Sequence, residues 1–335
     1  MKLIPRKNKS GNGSTLTLLA TGTHATVQDL GRAGHLGMGV TTGGAMDPFA
    51  HRLGQRLLGN PVASASIETA WGGLALSCDT DLPVVITGAV LDVDVDGQSM
   101  PCYRPFLLRP LQVLTLGRPA RGVFSYLSVA GGIATPEVLG SRSTVIREAL
   151  GGVDGRALIP GDRLPTGVPA GIPSTLPVPT PNKFPDKPLD TPSTDTLTLR
   201  WLAGFQHDQV QRAALRTLES KSFCVTGARD RMGARLSGPP VETGLSQLWS
   251  EATCLGAIQV PPDGQPIVLL NDRQTMGGYP KLGAVLSPDC TRLAQAPVGT
   301  QIRFEKLSPV AADRVLWLEQ NYEQELARAL AGNAL

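Results

Sequence analysis

The 335-residue sequence predicts a mainly β protein with a few helices, built from two related β-rich halves. Three observations carry this reading. The 38 glycines and 28 prolines make up about a fifth of the chain, against roughly an eighth in average usage, and that excess demands many tight turns. Apolar runs of five or six residues recur and stop at glycine, as half-buried strands do. Finally, the two halves align without gaps at a fixed offset. Gly44-Ala45-x-Asp47 falls on Gly227-Ala228-x-Asp230, Arg52-Leu53 on Arg235-Leu236, Glu68 on Glu251, Gly73 on Gly256, Pro83 on Pro266 and Val85 on Val268. A period this long is that of a duplicated domain rather than a solenoid.

The elements follow in order. Residues 83–87 form a strand ending at Gly88, and 91–95 alternate with period two before Asp96-Gly97, a strong hairpin pair. Residues 124–129 form a strand ending at Gly131-Gly132, and later strands cover 222–226, 257–260, 266–270 and 301–304. Helices are few. One follows Asp47-Pro48 over Phe49, Leu53 and Leu57 until Gly59-Asn60-Pro61 stops it. A second spans Asp208 to Glu219. The last begins at Ser308-Pro309 and places Leu318, Tyr322, Leu326 and Leu330 on one face, expected to pack as a stripe on one of the β-rich halves.

Eight prolines between Pro165 and Pro188 mark an extended, semi-rigid linker, since such a stretch sustains neither ladder nor helix. The expected organisation is a subdomain at 14–165, a linker at 166–195, a second subdomain at 196–306 and a C-terminal helix at 307–335.

With 41% apolar and 18% charged residues the chain is too hydrophobic for disorder. Its net charge of +3 comes without a Lys/Arg block, and only 4% of residues are aromatic. Nucleic acid is therefore not an expected partner. No run of about 18 apolar residues suggests a membrane span. Five scattered cysteines without a CxxC pair, and a polar, basic N-terminus, suit reduced thiols in the cytoplasm. The four histidines lack metal-ligand spacing, so no metal is expected. P-loop, Rossmann and GxSxG patterns are absent.

Three segments hold more polar and glycine residues than a scaffold needs. The first runs from Gln28-Asp29-Leu30-Gly31-Arg32 to Gly43-Gly44-Ala45-Met46-Asp47. Its glycines permit backbone N–H groups to face an anion or amide, while the bland alternative is an irregular turn. Asp47 reads as a helix N-cap before it reads as a ligand contact, and Asp29 and Arg32 are balanced between the two roles. The second, residues 226–236, sets Arg229, Arg231 and Arg235 around Asp230. Such a cluster suits an oxyanion or carboxylate clamp, or else a surface ion-pair group worth little. Here Arg231 leans towards function and Arg235 towards structure. The third, residues 259–280, uses an Asp263-Gly264 turn to deliver a strand ending in Asn271-Asp272-Arg273-Gln274-Thr275 before Gly277-Gly278-Tyr279-Pro280. Polar side chains massed at a strand end suit a small polar ligand.

At these three segments the chain resembles the biotin-dependent carboxyltransferase family. That family includes the C subunit of bacterial 5-oxoprolinase (KipA-like, or allophanate hydrolase subunit 2-like) and part of urea carboxylase. The resemblance runs from about Leu16 to Phe304. It implies two tandem cyclophilin-like β-barrel subdomains, in accord with the internal repeat. It further implies ATP-dependent hydrolysis of 5-oxoproline to L-glutamate in a complex with two other proteins, one KipI-like and one LamB/YcsF-like. Arg231, Asp272 and Arg273 are the expected catalytic residues. Gln28, Asp29, Arg32, Gly44, Asp47, Gln274, Thr275, Gly278 and Tyr279 are the expected substrate contacts, all gathered at one cleft. ATP is the expected cofactor, with its site shared with a partner, and covalently attached biotin is not expected. A KipA-like regulatory module that binds a KipI-like partner and a urea/allophanate-pathway carboxyltransferase are the alternatives.

Overall fold

The computed structural model describes residues 13–169, 196–245 and 248–332. Most of the expected linker, from residue 170 on, lies outside the described residues. The chain divides into two compact units. The first takes the described residues up to Arg32, those from Gly43 to 169, and those from Gln324 on; the second takes Ala33–Thr42 and the described stretch from 196 to Glu323.

The first unit contains β1 (Thr15–Thr21), β2 (His24–Gln28), α1 (Pro48–Leu57), β3 (Ser66–Ala70), β4 (Leu74–Cys78), β5 (Leu82–Val95), β6 (Gln98–Met100), β7 (Phe106–Leu108), β8 (Leu114–Val129) and β9 (Arg163–Pro165). They form one nine-stranded sheet with a spine β2-β3-β8-β4-β1-β9, while β5 lies along β8 and carries β6 and β7. The long pair β5 and β8 runs antiparallel from Val84 opposite Val129 to Val95 opposite Leu114, with register shifts between Gly88 and Val93. Such bulges increase twist and bend the strand, so the sheet curls into a half-barrel. Alternate residues such as Leu16, Val27, Ile67, Val84 and Leu127 point into one apolar core. The expected hairpin joins β5 to β6, with Asp96 at φ 52° and Gly97 at φ 84°, as a type I′ turn requires. Helix α1 starts where expected: the Asp47 carboxylate accepts from Ala50 N at 2.9 Å, and Pro48 occupies the first turn.

The second unit contains β10 (Thr196–Ala203), α2 (Arg212–Ser220), β11 (Phe223–Arg229), β12 (Gly233–Ser237), β13 (Glu251–Ala252), β14 (Ala257–Gln259), β15 (Ile267–Leu269), β16 (Met276–Gly277), β17 (Lys281–Val285), α3 (Ser287–Gln295) and β18 (Gln301–Lys306). Seven strands close into a barrel in the order β10-β17-β14-β15-β12-β11-β18. Parallel pairing of β10 with β18 seals it, from Thr196 opposite Gln301 to Trp201 opposite Lys306. Trp201, Leu236, Ile258 and Leu282 fill the interior. The short ribbon of β13 and β16 stands apart from the barrel sheet. The expected pair of barrel subdomains is thus present, one closed and one a curled half-barrel.

The last helix, α4 (Pro309–Gly332), is capped as read: Ser308 Oγ accepts from Ala311 N at 3.2 Å. Its stripe is narrower than expected. Leu326 and Leu330 are buried against Leu53, Leu57 and Val85 of the first unit, whereas Leu318 is 53% exposed. Of that stripe, only Leu326 and Leu330 are buried. The second helix is also shorter than expected, because residues 207–209 make a separate 3-10 turn and Val210 is extended. Helix α3 was not anticipated; its nine residues carry too few apolar side chains for a periodic signal, although Pro288 and Asp289 mark its start.

The repeat register needs correction. At the offset read from sequence, Arg52-Leu53 of α1 fall on Arg235-Leu236 of β12. Asp47 caps a helix, whereas Asp230 accepts from Met232 N in a β-hairpin turn. Those early matches pair helix with strand and are coincidences of a glycine-rich text. No helix among the described residues is long and apolar enough to cross a membrane.

Candidate functional site

In the first unit, β2 delivers Gln28, Asp29 and Arg32 to a buried polar knot. Asp29 is the hub. Its Oδ1 accepts from Gly31 N at 2.8 Å, Ser141 Oγ at 2.7 Å and Ser143 Oγ at 2.5 Å, and its Oδ2 accepts from Arg142 N at 2.6 Å. Arg32, only 1% exposed, donates to the carbonyls of Ser143 at 2.5 Å and Val138 at 3.4 Å. Gln28 donates to Thr26 Oγ1 and to Thr144 O, each at 3.0 Å. Gly44 has φ 92°, and a Cβ there would stand 2.9 Å from Gly31 N, so this turn requires glycine. Asp47 caps α1 while its own N–H donates to Tyr126 Oη at 2.7 Å; that hydroxyl in turn donates to Glu68 at 2.7 Å. Gln28, Asp29 and Arg32 thus tie the end of β2 and the loop after it to residues 138–144, and Asp47 ties that region to α1.

A buried histidine completes the region. His51 Nδ1 meets Ser66 Oγ at 2.9 Å, and burial pushes its pKa down to about 4, despite the nearby Asp29 charge.

The second unit assembles the other two segments. Asp272 N donates to Arg231 O at 2.8 Å, which brings the two side chains into register. Arg231 Nε and Nη2 then meet the two oxygens of Asp272 at 2.8 Å each, with both side chains under 10% exposed. This fork-to-fork pair is the strongest geometry available to a guanidinium and carboxylate. Arg273 is different. It is 7% exposed, its Nη1 reaches only Leu270 O at 3.4 Å, and its buried Nε has no hydrogen-bond partner among the described residues. Burial lowers its pKa, with only the thiols of Cys254 and Cys290 acting in the opposite direction. Thr41, at the end of the glycine-rich segment assigned to this unit, donates to the Arg273 carbonyl at 3.3 Å.

Beside this strand end lies a pocket of about 850 Å³, lined by residues 240–245, 260–264 and 277–280 together with Leu248 and Gln274. Gln274, Gly278 and Tyr279 of the expected contacts line it; Thr275, Arg231, Asp272 and Arg273 do not. The β13–β16 ribbon pairs Glu251 with Gly277 and holds the Gly-Gly-Tyr-Pro turn in place. The other clustered arginines are structural. Arg235 pairs with Asp263, and Arg229 donates to the carbonyls of Leu293, Ala294 and Ala296 at the C-terminal end of α3. Cationic donors suit that end of a helix dipole. Among the described residues no group of three or more His, Cys, Asp or Glu is placed to hold a metal.

A family model for the carboxyltransferase domain, subdomains A and B, matches residues 38–306. The chain belongs to this carboxyltransferase family. Within it, the chain is 33% identical over 314 residues to the 5-oxoprolinase C subunit of Haemophilus influenzae, covering 93% of this chain and 98% of that protein. To the 5-oxoprolinase C subunit of Escherichia coli it is 34% identical over 313 residues, covering 93% and 97%. Among solved structures, the K. lactis urea amidolyase superposes with a TM-score of 0.84 at 25% identity, over 95% of this chain and 20% of that one.

The carboxyltransferase fold also gathers polar residues that are not among the expected contacts. Lys281, 6% exposed, reaches Gly277 O at 3.2 Å and Glu251 at 3.3 Å. Gln206 bridges Glu251 and Lys281 N at 2.7 Å each. Gln259 is buried on β14 and accepts from Gln274 at 3.2 Å. A polar residue inside the apolar run 257–260 was the available signal for Gln259. Gln206 and Glu251 are distant in sequence and left none.

Proposed function

We propose that this chain is the C subunit of an ATP-dependent 5-oxoprolinase, hydrolysing 5-oxoproline to L-glutamate only within a heteromeric complex. The observation that carries the reading is the near full-length match to two proteins named as 5-oxoprolinase C subunits. The expected partners are a KipI-like protein and a LamB/YcsF-like protein.

Hydrolysis adds water across the lactam C–N bond: the carbonyl carbon gains the oxygen and the nitrogen leaves as the amine of glutamate. The barrier lies in making an unstrained amide carbonyl electrophilic, and fixed donors aimed at the developing oxyanion lower it. In the second unit, Arg273 is the group equipped for an anion. It is a desolvated cation without a carboxylate neighbour among the described residues, suited to the substrate carboxylate or to the charge that develops. Arg231 and Asp272 neutralise each other, so their part is to fix the strand end that carries Arg273, Gln274 and Thr275. The pocket beside them, bearing Gln274, Gly278 and Tyr279, holds the ring.

ATP would supply activation of the carbonyl oxygen. The N-termini of α1 and α3 do not suit a triphosphate: Asp47 caps α1, and α3 carries Asp289 in its first turn. The nucleotide site is proposed to be shared with a partner protein.

The second reading is carboxyl transfer in a urea pathway, favoured by the likeness to the K. lactis urea amidolyase. Co-purify the chain with its two candidate partners and follow glutamate release from 5-oxoproline with and without ATP. The proposal expects release only from the trio with ATP. Full activity of the isolated chain refutes the need for a complex; an inactive trio that binds urea instead refutes the substrate.

A further inference from the structure

We propose that the pocket of the second unit is a cation site, with Glu242 and Tyr279 as receptors for the primary ammonium group that ring opening creates. Naming that ammonium as the product amine rests on the lactam-hydrolase reading, whereas the site itself follows from what lines the cavity. Glu242 and Asp263 are the charged residues of its lining, and no Lys, Arg or His joins them. Asp263 is already engaged, since it pairs with Arg235 and accepts from Gln265 N at 3.1 Å. Glu242 is exposed and has no ion-pair or hydrogen-bond partner among the described residues. One uncompensated carboxylate therefore borders the cavity.

Its neighbours fix Glu242 in place. Val241 N donates to Gly264 O at 2.9 Å, Gln211 N donates to Thr243 O at 3.2 Å, and both Val241 and Thr243 are buried. The backbone on either side of Glu242 is thus anchored while the residue itself stays accessible. Leu245, Leu248 and Val260 give the same cavity apolar walls, against which an ion pair is stronger than in open water. Tyr279 lines it too and is 46% exposed, and an aromatic ring attracts an ammonium group. A carboxylate, an aromatic ring and apolar walls, with no lining cation to compete, suit a primary ammonium on a short carbon chain. An anion is repelled here.

Lactam hydrolysis creates that group. The oxygen of water joins the carbonyl carbon, the C–N bond breaks, and the two protons of water pass to the nitrogen, leaving a carboxylate and an ammonium. The ring nitrogen of the substrate is uncharged and gains little from Glu242, whereas the ammonium of the product gains an ion pair. Glu242 therefore acts on the product more than on the substrate. The carboxylates of that product are left to Arg273, which does not line the cavity.

The test uses the full chain alone and the assembled complex. The isolated chain is titrated with butylammonium, butan-1-ol and butyrate, which share a carbon chain and differ in charge, while the backbone amide signals of Thr243, Gly278 and Tyr279 are followed by NMR. Butylammonium should shift them, the alcohol less and butyrate not at all, and added salt should weaken the response. Glu242→Gln should weaken butylammonium binding roughly three- to tenfold at unchanged Tm, and adding Tyr279→Leu should weaken it further. In the complex, Glu242→Gln should raise the inhibition constant of glutamate by a similar factor while KM for 5-oxoproline changes less. Equal response to the three probes, or Glu242→Gln binding butylammonium as the parent does, overturns the cation site while leaving the lactam-hydrolase reading intact. An unchanged glutamate inhibition constant in an active complex overturns the assignment to the product amine. A complex that turns over no 5-oxoproline, while the isolated chain still prefers butylammonium, overturns the lactam-hydrolase reading instead.

Discussion

The guanidinium of Arg231 and the carboxylate of Asp272 face each other through two bonds of 2.8 Å, while neighbouring Arg273 has no carboxylate beside it among the described residues. Adjacent residues on one strand end thus separate into a neutral brace and an open charge. A brace of this kind contributes mainly through what its removal exposes. Asp272→Ala, which strands Arg231 as a buried charge, is expected to destabilise the fold by about 3–5 kcal/mol. The double variant Arg231→Met/Asp272→Leu should recover most of that loss. Denaturant unfolding of all three proteins checks this; equal costs for single and double variants would show that the pair is not a unit.

Asp29 makes the converse case, a sequence candidate for substrate contact whose oxygens are taken by four internal donors. Asp29→Ala should lower stability by about 3 kcal/mol, because hydroxyl and backbone donors lose a charged acceptor. Asp29→Asn should fall between. Turnover per folded molecule in the complex should stay near the parent value. A large loss of kcat in a fully folded Asp29→Asn would return this residue to the catalytic machinery.

His51 predicts a pH dependence. Its pKa is about 4 in the fold, against about 6.5 in an unfolded chain. Between those values the unfolded state binds the extra proton, so stability falls on acidification. The expected loss from pH 7 to pH 5 is about 2 kcal/mol from this residue. His51→Gln should flatten the slope in that window. An unchanged slope in the variant would mean that the imidazole is protonated where it lies.

Much of the fold was legible because its signals are local. Asp47-Pro48, Asp96-Gly97 and Ser308-Pro309 each announce a cap or turn through their own backbone chemistry, and each appears in place. The strand runs at 83–95 and 124–129 likewise carry their period with them. Long-range relations were not legible. Helix α3 buries only the short apolar face Cys290, Leu293 and Ala294, and is held as well by Asp289 accepting from Arg200, 89 residues away. Of the candidate site, Arg231, Asp272, Arg273 and Gln274 do converge, since a single strand end and the facing turn carry them. Distinguishing the open arginine from the paired one required the partners of each. Gln206 and Glu251 reach the same region from distant loops, and nothing in their local sequence marks them.

Turnover of 5-oxoproline by the assembled complex carrying Arg273→Ala, beside one carrying Arg156→Ala, tests the central claim most directly. Arg156 is a sound control: it forks onto Asp162 at 2.8 Å on the half-exposed surface of the first unit, a contact expected to matter little. The parent complex should release glutamate in the presence of ATP, and Arg156→Ala should match it. Arg273→Ala should lose roughly ten- to a hundredfold, the effect of one charge-assisted contact in the transition state, with Tm unchanged or raised because a desolvated cation is gone. Arg273→Lys should recover little. Equal activity in the two alanine variants, or a loss at Arg273 that merely follows its stability, would contradict the account.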